Sequence, residues 1–416
     1  MKRTSFTVRV GLLAALIMSL PATATAQPIF DHLKCYKIID PPSPIPAYTA
    51  DLLPEQLPPF NLAPGCLIKM PARLFCIDVE KSNVNPPPPL QVNGANARDY
   101  LCYRVTCPPV SDPKKVHVKD QFGERTIAIK PPRFVCAPAE KSCVQPPSGL
   151  VAWWPLDEVF GTAVQDLSTN NPGTTQPAAI GSGGPTSLPG VMVANSLTFN
   201  GSTQFIQVAS SASLNLGTGN FSIDAWIRTS NAVGRHTIVD KRDTNPVGYS
   251  FFINNGRLTL QMGDRTGLSC TCTANNTNSN CTNYLANNVN IADGNWHFVA
   301  VSVDRVNNIG RFFLDGAPFG TFNPSARPMS LSNATQLLIG RSNTTTCSSS
   351  TDDWQGELDE VEIFDRALAT SEFVDIWAAH TLGKCKPCGF TGLVCGGPCP
   401  PGQQCVIDAL GLCSCT

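Results

Sequence analysis

DGNWHFVAVSVDRVNNIGRFFLDG, residues Asp293 to Gly316, holds two strand patterns on either side of a turn. Within Trp296–Asp304, the residues Trp296, Phe298, Ala300 and Ser302 alternate with His297, Val299, Val301 and Val303. Both sets are largely apolar, so the strand is expected to be covered on both faces. A turn rich in Asn and Gly follows over Asp304–Gly310. Arg311–Leu314 then runs into Asp315-Gly316, a strong tight-turn signal. The stretch reads as an antiparallel hairpin with a central Trp, placed in the middle of a β-sandwich.

The chain around it has 416 residues, room for about two to four domains. Charged residues are 15% of the total, well below the usual quarter or so. The net charge is −1, which gives no electrostatic case for a nucleic-acid or anionic-membrane partner. Eighteen cysteines point to an oxidising compartment. Lys2, Arg3 and Arg9 flank the start of an apolar run, Gly11–Leu20, and Ala24-Thr25-Ala26 is a small-residue cleavage site. Residues 1–26 therefore read as a secretory signal peptide cut before Gln27. The apolar run is too short to span a bilayer and no later stretch could, so the expected location is secreted, extracellular or periplasmic.

From Pro28 to Pro147 the sequence repeats itself. LKCYKIIDPP (Leu33–Pro42) aligns with YLCYRVTCPP (Tyr100–Pro109), and MPARLFCIDVEKSNVNPP (Met70–Pro87) with KPPRFVCAPAEKSCVQPP (Lys130–Pro147). Two copies of one small β-module are expected, at 27–88 and 89–147. The duplication makes Cys35–Cys76 and Cys102–Cys136 the simplest pairs and leaves Cys66, Cys107 and Cys143 unassigned. VHVKDQFGERTIAIKPP reads as strand, turn at Gln121–Gly123, strand. The pattern resembles an uncharacterised repeat of secreted bacterial proteins, which supplies no function.

From Gly149 short strand patterns follow one another between turn signals, implying two packed sheets. Asp224 and Trp226 fall on one face of Phe221–Arg228 and Phe221, Ile223, Ala225 and Ile227 on the other, so Trp226 and Trp296 read as packing aromatics. After Phe364 the period turns helical, with Ser371 as a cap and Phe373, Ile376 and Trp377 as the apolar face. The run GLVAWWPLDE, LTFNGSTQFIQV, NFSIDAWIRTS, DGNWHFVAVSVD, RFFLDGAPFG, LLIGRSN and WQGELDEVEIFDRALATSEF closely resembles the laminin-G-like, concanavalin-A-type jelly-roll family. The resemblance implies an all-β jelly-roll sandwich over 148–382; beyond it, seven closely spaced cysteines make 383–416 a Cys-rich disulfide tail.

Two places could carry chemistry. The polar loop Asp166–Gly173 supplies oxygen donors, and the resemblance places it near the last strand. On that basis Asp166, Asn170 and Asp359 would hold a structural Ca2+ ion. The competing reading is an Asx-rich turn satisfied by backbone N–H groups. Glu357-Leu-Asp359-Glu-Val-Glu362 looks like the E-x-D-x-x-E motif of jelly-roll glucanases, whose two Glu act as nucleophile and acid/base. Strict alternation puts Glu362 on the opposite face from Glu357 and Asp359 unless a bulge intervenes. The segment also ends the domain, as in the non-catalytic family, so no catalytic residue is assigned.

Gly267–Asn288 reads as an inserted loop. Of Cys270 and Cys272, one is expected to pair with Cys281 and the other with Cys347. Asn276, Asn278 and Tyr284 then form a recognition rim, with Thr344–Ser349 beside it. Cys385-Lys-Pro-Cys388 lacks a thioredoxin-like context and belongs to a disulfide knot. The expected function is non-enzymatic binding of an extracellular glycan or, second, a protein surface, as in adhesion. A glycoside hydrolase and a structural envelope component are the alternatives.

Overall fold

The computed structural model describes residues 32–40, 45–52, 62–79, 99–109, 114–120, 123–139, 143–168, 171–189, 192–265, 270–272 and 279–386, with short strands within 389–415. The expected signal peptide, Asn170, Asn276 and Asn278 lie outside these residues. The chain divides into two compact units, Met1–Glu140 and Lys141–Thr416.

In the first unit the strands are β1 (His32–Lys37), β2 (Ala47–Leu52), β3 (Ala63–Val79), β4 (Asp99–Thr106), β5 (Lys115–Asp120), β6 (Gly123–Ala128) and β7 (Phe134–Ala139). The two repeats share one sheet, in which β3 of the first pairs with β4 of the second. Cys35 bonds Cys76 and Cys102 bonds Cys136, each pair lying directly opposite across strands. Cys66 bonds Cys107, which crosses between the repeats. β5 and β6 form a separate hairpin.

The second unit is the sandwich. Its strands are β8 (Leu150–Trp154), β9 (Ala163–Val164), β10 (Gly173–Gln176), β11 (Thr186–Pro189), β12 (Asn195–Asn200), β13 (Phe205–Val208), β14 (Phe221–Arg228), β15 (Arg235–Arg242), β16 (Gly248–Asn254), β17 (Arg257–Gly263), β18 (Cys281–Leu285), β19 (Trp296–Asp304), β20 (Ile309–Leu314), β21 (Ala317–Phe322), β22 (Leu337–Ile339) and β23 (Gln355–Phe364). One sheet runs β11-β12-β23-β14-β19-β20-β21, with β8 also on β23; the other runs β18-β17-β16-β15-β22-β13-β10-β9. This is the expected all-β sandwich.

The opening hairpin sits mid-sheet, and both of its faces are covered. Val299, Val301 and Val303 of β19 enter the core between the sheets, where they join Trp154, Phe251, Leu260, Ile339 and Trp354. Phe298 and Ala300 point the other way, into a second apolar cluster with Trp226, Phe313 and Phe364. The helix α1 (Thr370–Ala379) closes that cluster with Phe373 and Ile376. Asp315 (φ 49°) and Gly316 (φ 75°) make the tight turn into β21, the positive φ pair such a turn needs. The helix caps at Ala369 rather than Ser371: the Glu372 carboxylate accepts from the Ala369 N–H at 2.8 Å. Trp377 is 37% exposed and packs over Gly316 instead of entering the core.

Candidate functional site

The outer face of the first sheet collects acids because β23 carries a bulge. Asp224 pairs with Glu362 but Trp226 pairs with Asp359, so Glu360 and Val361 together oppose Ala225. Glu360 takes φ 50° to make the step. The bulge puts Asp359 and Glu362 on one face, where strict alternation would have separated them. Asp157, after β8, joins them.

A strap from beyond the helix closes this pit. Val144 and Lys384 form a parallel bridge, and Cys143 bonds Cys385. In an extended segment residues i and i+2 share a face, so Lys384 and Lys386 both point down at the acids. Lys384 Nζ contacts Glu362 and lies 3.6 Å from Glu360 and 5.4 Å from the Trp153 ring centre. Lys386 Nζ lies 2.6 Å from both Asp157 and Glu360. Trp153 Nε1 donates to Glu360 at 2.9 Å.

Five carboxyls thus share two ammonium groups in a site closed to solvent. Burial pushes Asp224 up to about 7 against the pull of Lys384. Burial also raises Glu362 well above the carboxylate range despite Lys384, and burial with repulsion from Glu360 does the same to Asp359. For Lys384, burial alone would lower the pKa, but Glu362, Glu360 and Asp224 carry it above the ordinary lysine value. Glu357, the first acid of the motif, is held by Arg228 through bonds of 3.0 and 2.7 Å. A retaining glycosidase needs two carboxyls open to a sugar, about 5–5.5 Å apart. Here Asp359, Glu360 and Glu362 are at most 1% exposed, and lysines sit against Glu360 and Glu362.

The metal expectation meets a different geometry. Asp166 Oδ1 accepts from the N–H groups of Trp153 (2.8 Å) and Ser168 (2.9 Å); Oδ2 accepts from Ser168 Oγ (2.6 Å) and the Asn171 N–H (2.8 Å). Its lone-pair directions are directed at protein donors, the turn alternative. Asp359 instead accepts from the Val193 N–H at 2.9 Å. Among the described residues no cluster of three or more His, Cys, Asp or Glu is arranged to hold a metal ion. The Asp166 carboxylate is thus occupied by protein donors, while Asn170, the third residue of the expected calcium set, lies outside the described residues.

The opposite sheet presents a polar outer face. Asp240, Ser250, Gln261 and Asn283 lie in register across β15, β16, β17 and β18. Arg242 Nε donates to Asp240 at 2.8 Å, Arg242 also donates to Gln261, and Gln261 Nε2 donates to Asn283 at 2.6 Å. Arg235 lies 3.6 Å over the Phe252 ring, donates to Ser250 Oγ at 2.9 Å and reaches Asp352 at 3.3 Å. Burial and repulsion from Arg242 lower Arg235 to about 10. Asp352 accepts in turn from Ser342 and Ser350, so the polar layer positions the loop 343–353. Cys270 bonds Cys347 and Cys272 bonds Cys281, fastening the insertion to that loop and to β18. The resulting rim exposes Thr344, Thr346, Ser349, Ser350, Cys270 and Thr271.

Tyr284 does not belong to the rim. It sits in β18, 2% exposed, stacked on Phe322 at 4.4 Å between ring centres with its hydroxyl toward the Pro324 carbonyl. The inserted loop ends in a strand whose alternation turns Tyr284 into the core. Arg235 and Asp352 were not singled out from sequence; an Arg at a strand start and an Asp before Trp354 carry no motif.

Residues 200–373 match a laminin-G family model described as the concanavalin A-like lectin/glucanases superfamily. No curated protein matches the chain. Among solved structures, the binding domain of Paraclostridial Mosquitocidal Protein 1 is 18% identical at a TM-score of 0.41, covering 55% of this chain and 52% of that one. The receptor binding domain of botulinum neurotoxin C/D mosaic serotype is 12% identical at 0.40, covering 55% and 51%. Domain 4 of AbnA, a GH43 extracellular arabinanase from Geobacillus stearothermophilus solved with arabinotriose, is 16% identical at 0.38, covering 54% and 97%. The chain spans about half the length of the first two. The match falls within the two-sheet sandwich, so that unit is laminin-G-like over residues 200–373.

Proposed function

We propose that the chain is a secreted, non-catalytic binding protein whose sandwich holds an extracellular glycan on the stapled rim formed by residues 270–272 and 343–353. One observation carries the reading: the rim is hydroxyl-rich, exposed, and pinned from below by the Arg235–Asp352 contact and from the side by Cys270–Cys347. Hydroxyls pair with sugar hydroxyls as donors and acceptors alike. A loop ordered before binding loses less entropy on contact. The closure of the acid pit by Lys384 and Lys386 supports the non-catalytic half of the proposal. The disulfides accord with an extracellular or periplasmic site, and no helix among the described residues is long and apolar enough to cross a membrane.

A glycan array probed with the chain tests this. Arg235→Met with Asp352→Ala should weaken the glycan hits at least about tenfold, roughly 1.4 kcal/mol, while the melt shows the sandwich still folded. Hits of unchanged strength would move the site elsewhere. An empty array beside capture by a purified cell-surface protein would replace the glycan by a protein ligand.

A further inference from the structure

The strap lysine Lys386 meets two carboxyls at one distance, 2.6 Å to Asp157 Oδ2 and 2.6 Å to Glu360 Oε1. The side chains are 8%, 6% and 1% exposed respectively. Each acid is held from its far side. Asp157 Oδ1 accepts from the Asn195 N–H at 3.0 Å, and the Asp157 carbonyl accepts from Asn195 Nδ2 at 2.8 Å. Glu360 is fixed by its bulge and by Trp153 Nε1. An amine, a carboxyl to receive it and a second carboxyl to carry protons are thus assembled without bulk water.

We propose that Lys386 and Asp157 become joined by an intramolecular amide bond, with Glu360 as the proton carrier. In water this condensation is opposed twice. Both groups are ionised, and water as a product is present in excess. Burial weakens both obstacles without removing the charge on Lys386, because charges are costly in a low dielectric and the released water leaves a closed site. Burial already raises Asp157 above its ordinary value, while its neighbours keep Lys386 protonated; the proton must therefore pass directly between them.

The step balances. The Lys386 ammonium passes one proton to the Asp157 carboxylate, giving a neutral amine and a carboxylic acid. The amine lone pair attacks Asp157 Cγ, forming the N–C bond. The nitrogen's surplus proton moves to the Glu360 carboxylate and from there to the departing hydroxyl. The C–O bond breaks, one water leaves, and Glu360 is again a carboxylate. Nothing is oxidised or reduced. The titratable groups facing the site are Glu158, whose carboxyl burial and Asp157 push up to about 7 although the Gln165 N–H and Lys386 pull it down, and Asp224, Asp359, Glu362 and Lys384 from neighbouring elements. Lys384 is the less suited amine, since its contacts are with Glu362 and Glu360 across the Trp153 face rather than with an Asp anchored by backbone. The bond would tie the segment after β8, the first strand of the sandwich, to the segment after its last helix. Those are the ends that Cys143–Cys385 also fastens.

Mass spectrometry of the fully reduced, alkylated and denatured chain decides the matter. The expected mass is one water below that of the linear sequence. A non-tryptic digest should contain a branched peptide joining Asp157 to Lys386, and Lys386→Arg should abolish it. The wild-type measurement does not require any variant to fold. A full linear mass overturns the proposal, and so does a water loss that maps to any other pair.

Discussion

Replacing Lys384 by Met tests the reading of the acid pit most directly. Met keeps much of the side-chain volume and removes the charge. In the folded chain Lys384 is 1% exposed and touches Glu362, itself buried. Removing one partner of a buried ion pair costs about 3–5 kcal/mol, because the other charge stays behind uncompensated. At about 2 °C per kcal/mol for a unit of this size, the melt should fall by about 6–10 °C near neutral pH. The penalty should depend on pH in a definite direction. Glu362 already lies well above its ordinary value of 4.5, and loss of Lys384 raises it further. A carboxyl raised by folding stabilises fully below its unfolded pKa and loses that contribution as pH climbs through the folded value. The variant should therefore recover most of its stability at about pH 5, where Glu362 takes up a proton at little cost. Near-UV circular dichroism, under non-reducing conditions at about pH 5 and about pH 7.5, follows the loss through the buried Trp153. A loss below about 2 °C, or an equal loss at both pH values, would show that the lysine does not compensate these acids.

His297 donates to Asp315 at 2.8 Å and to Asp293 at 3.2 Å, and the Asp315 bond raises its pKa above 6.5. Its contribution should be present in full below 6.5 and fade as pH rises through the raised value; being half-buried it is worth less than about 1 kcal/mol. Asp315→Asn keeps the turn and should flatten that part of the stability–pH curve; an unchanged curve would refute the assignment. Asp166→Ala should cost about 2–6 kcal/mol, since the buried N–H groups of Trp153 and Asn171 are each left unpaired at about 1–3 kcal/mol. A chelator should leave the wild-type melt where it is, and a chelator-sensitive melt would restore calcium to Asp166 and Asp359.

The sandwich was legible because alternation is a local property. Trp296–Asp304 declares two apolar faces residue by residue, and the structure covers both. Tyr284 shows where that reading stops. Its strand is five residues long at the end of an insertion, too brief beside so much Asn and Thr to be separated from the loop. The bulge is less legible still, because positive φ at a Glu follows from no residue preference. Yet that one residue decides which acids share a face. The strap did leave a signal: Lys384-Cys385-Lys386, extended, must send two ammonium groups one way and a thiol the other. Buried lysines require acids, and the acid-rich strand of the sandwich was already in view at Glu357–Glu362. The consequence bears on function, because an acid row on the outer face of a jelly-roll strand is chemically uncommitted. What lies over it decides its use, and here the cover is a segment of this chain outside the matched domain, bonded by Cys143–Cys385.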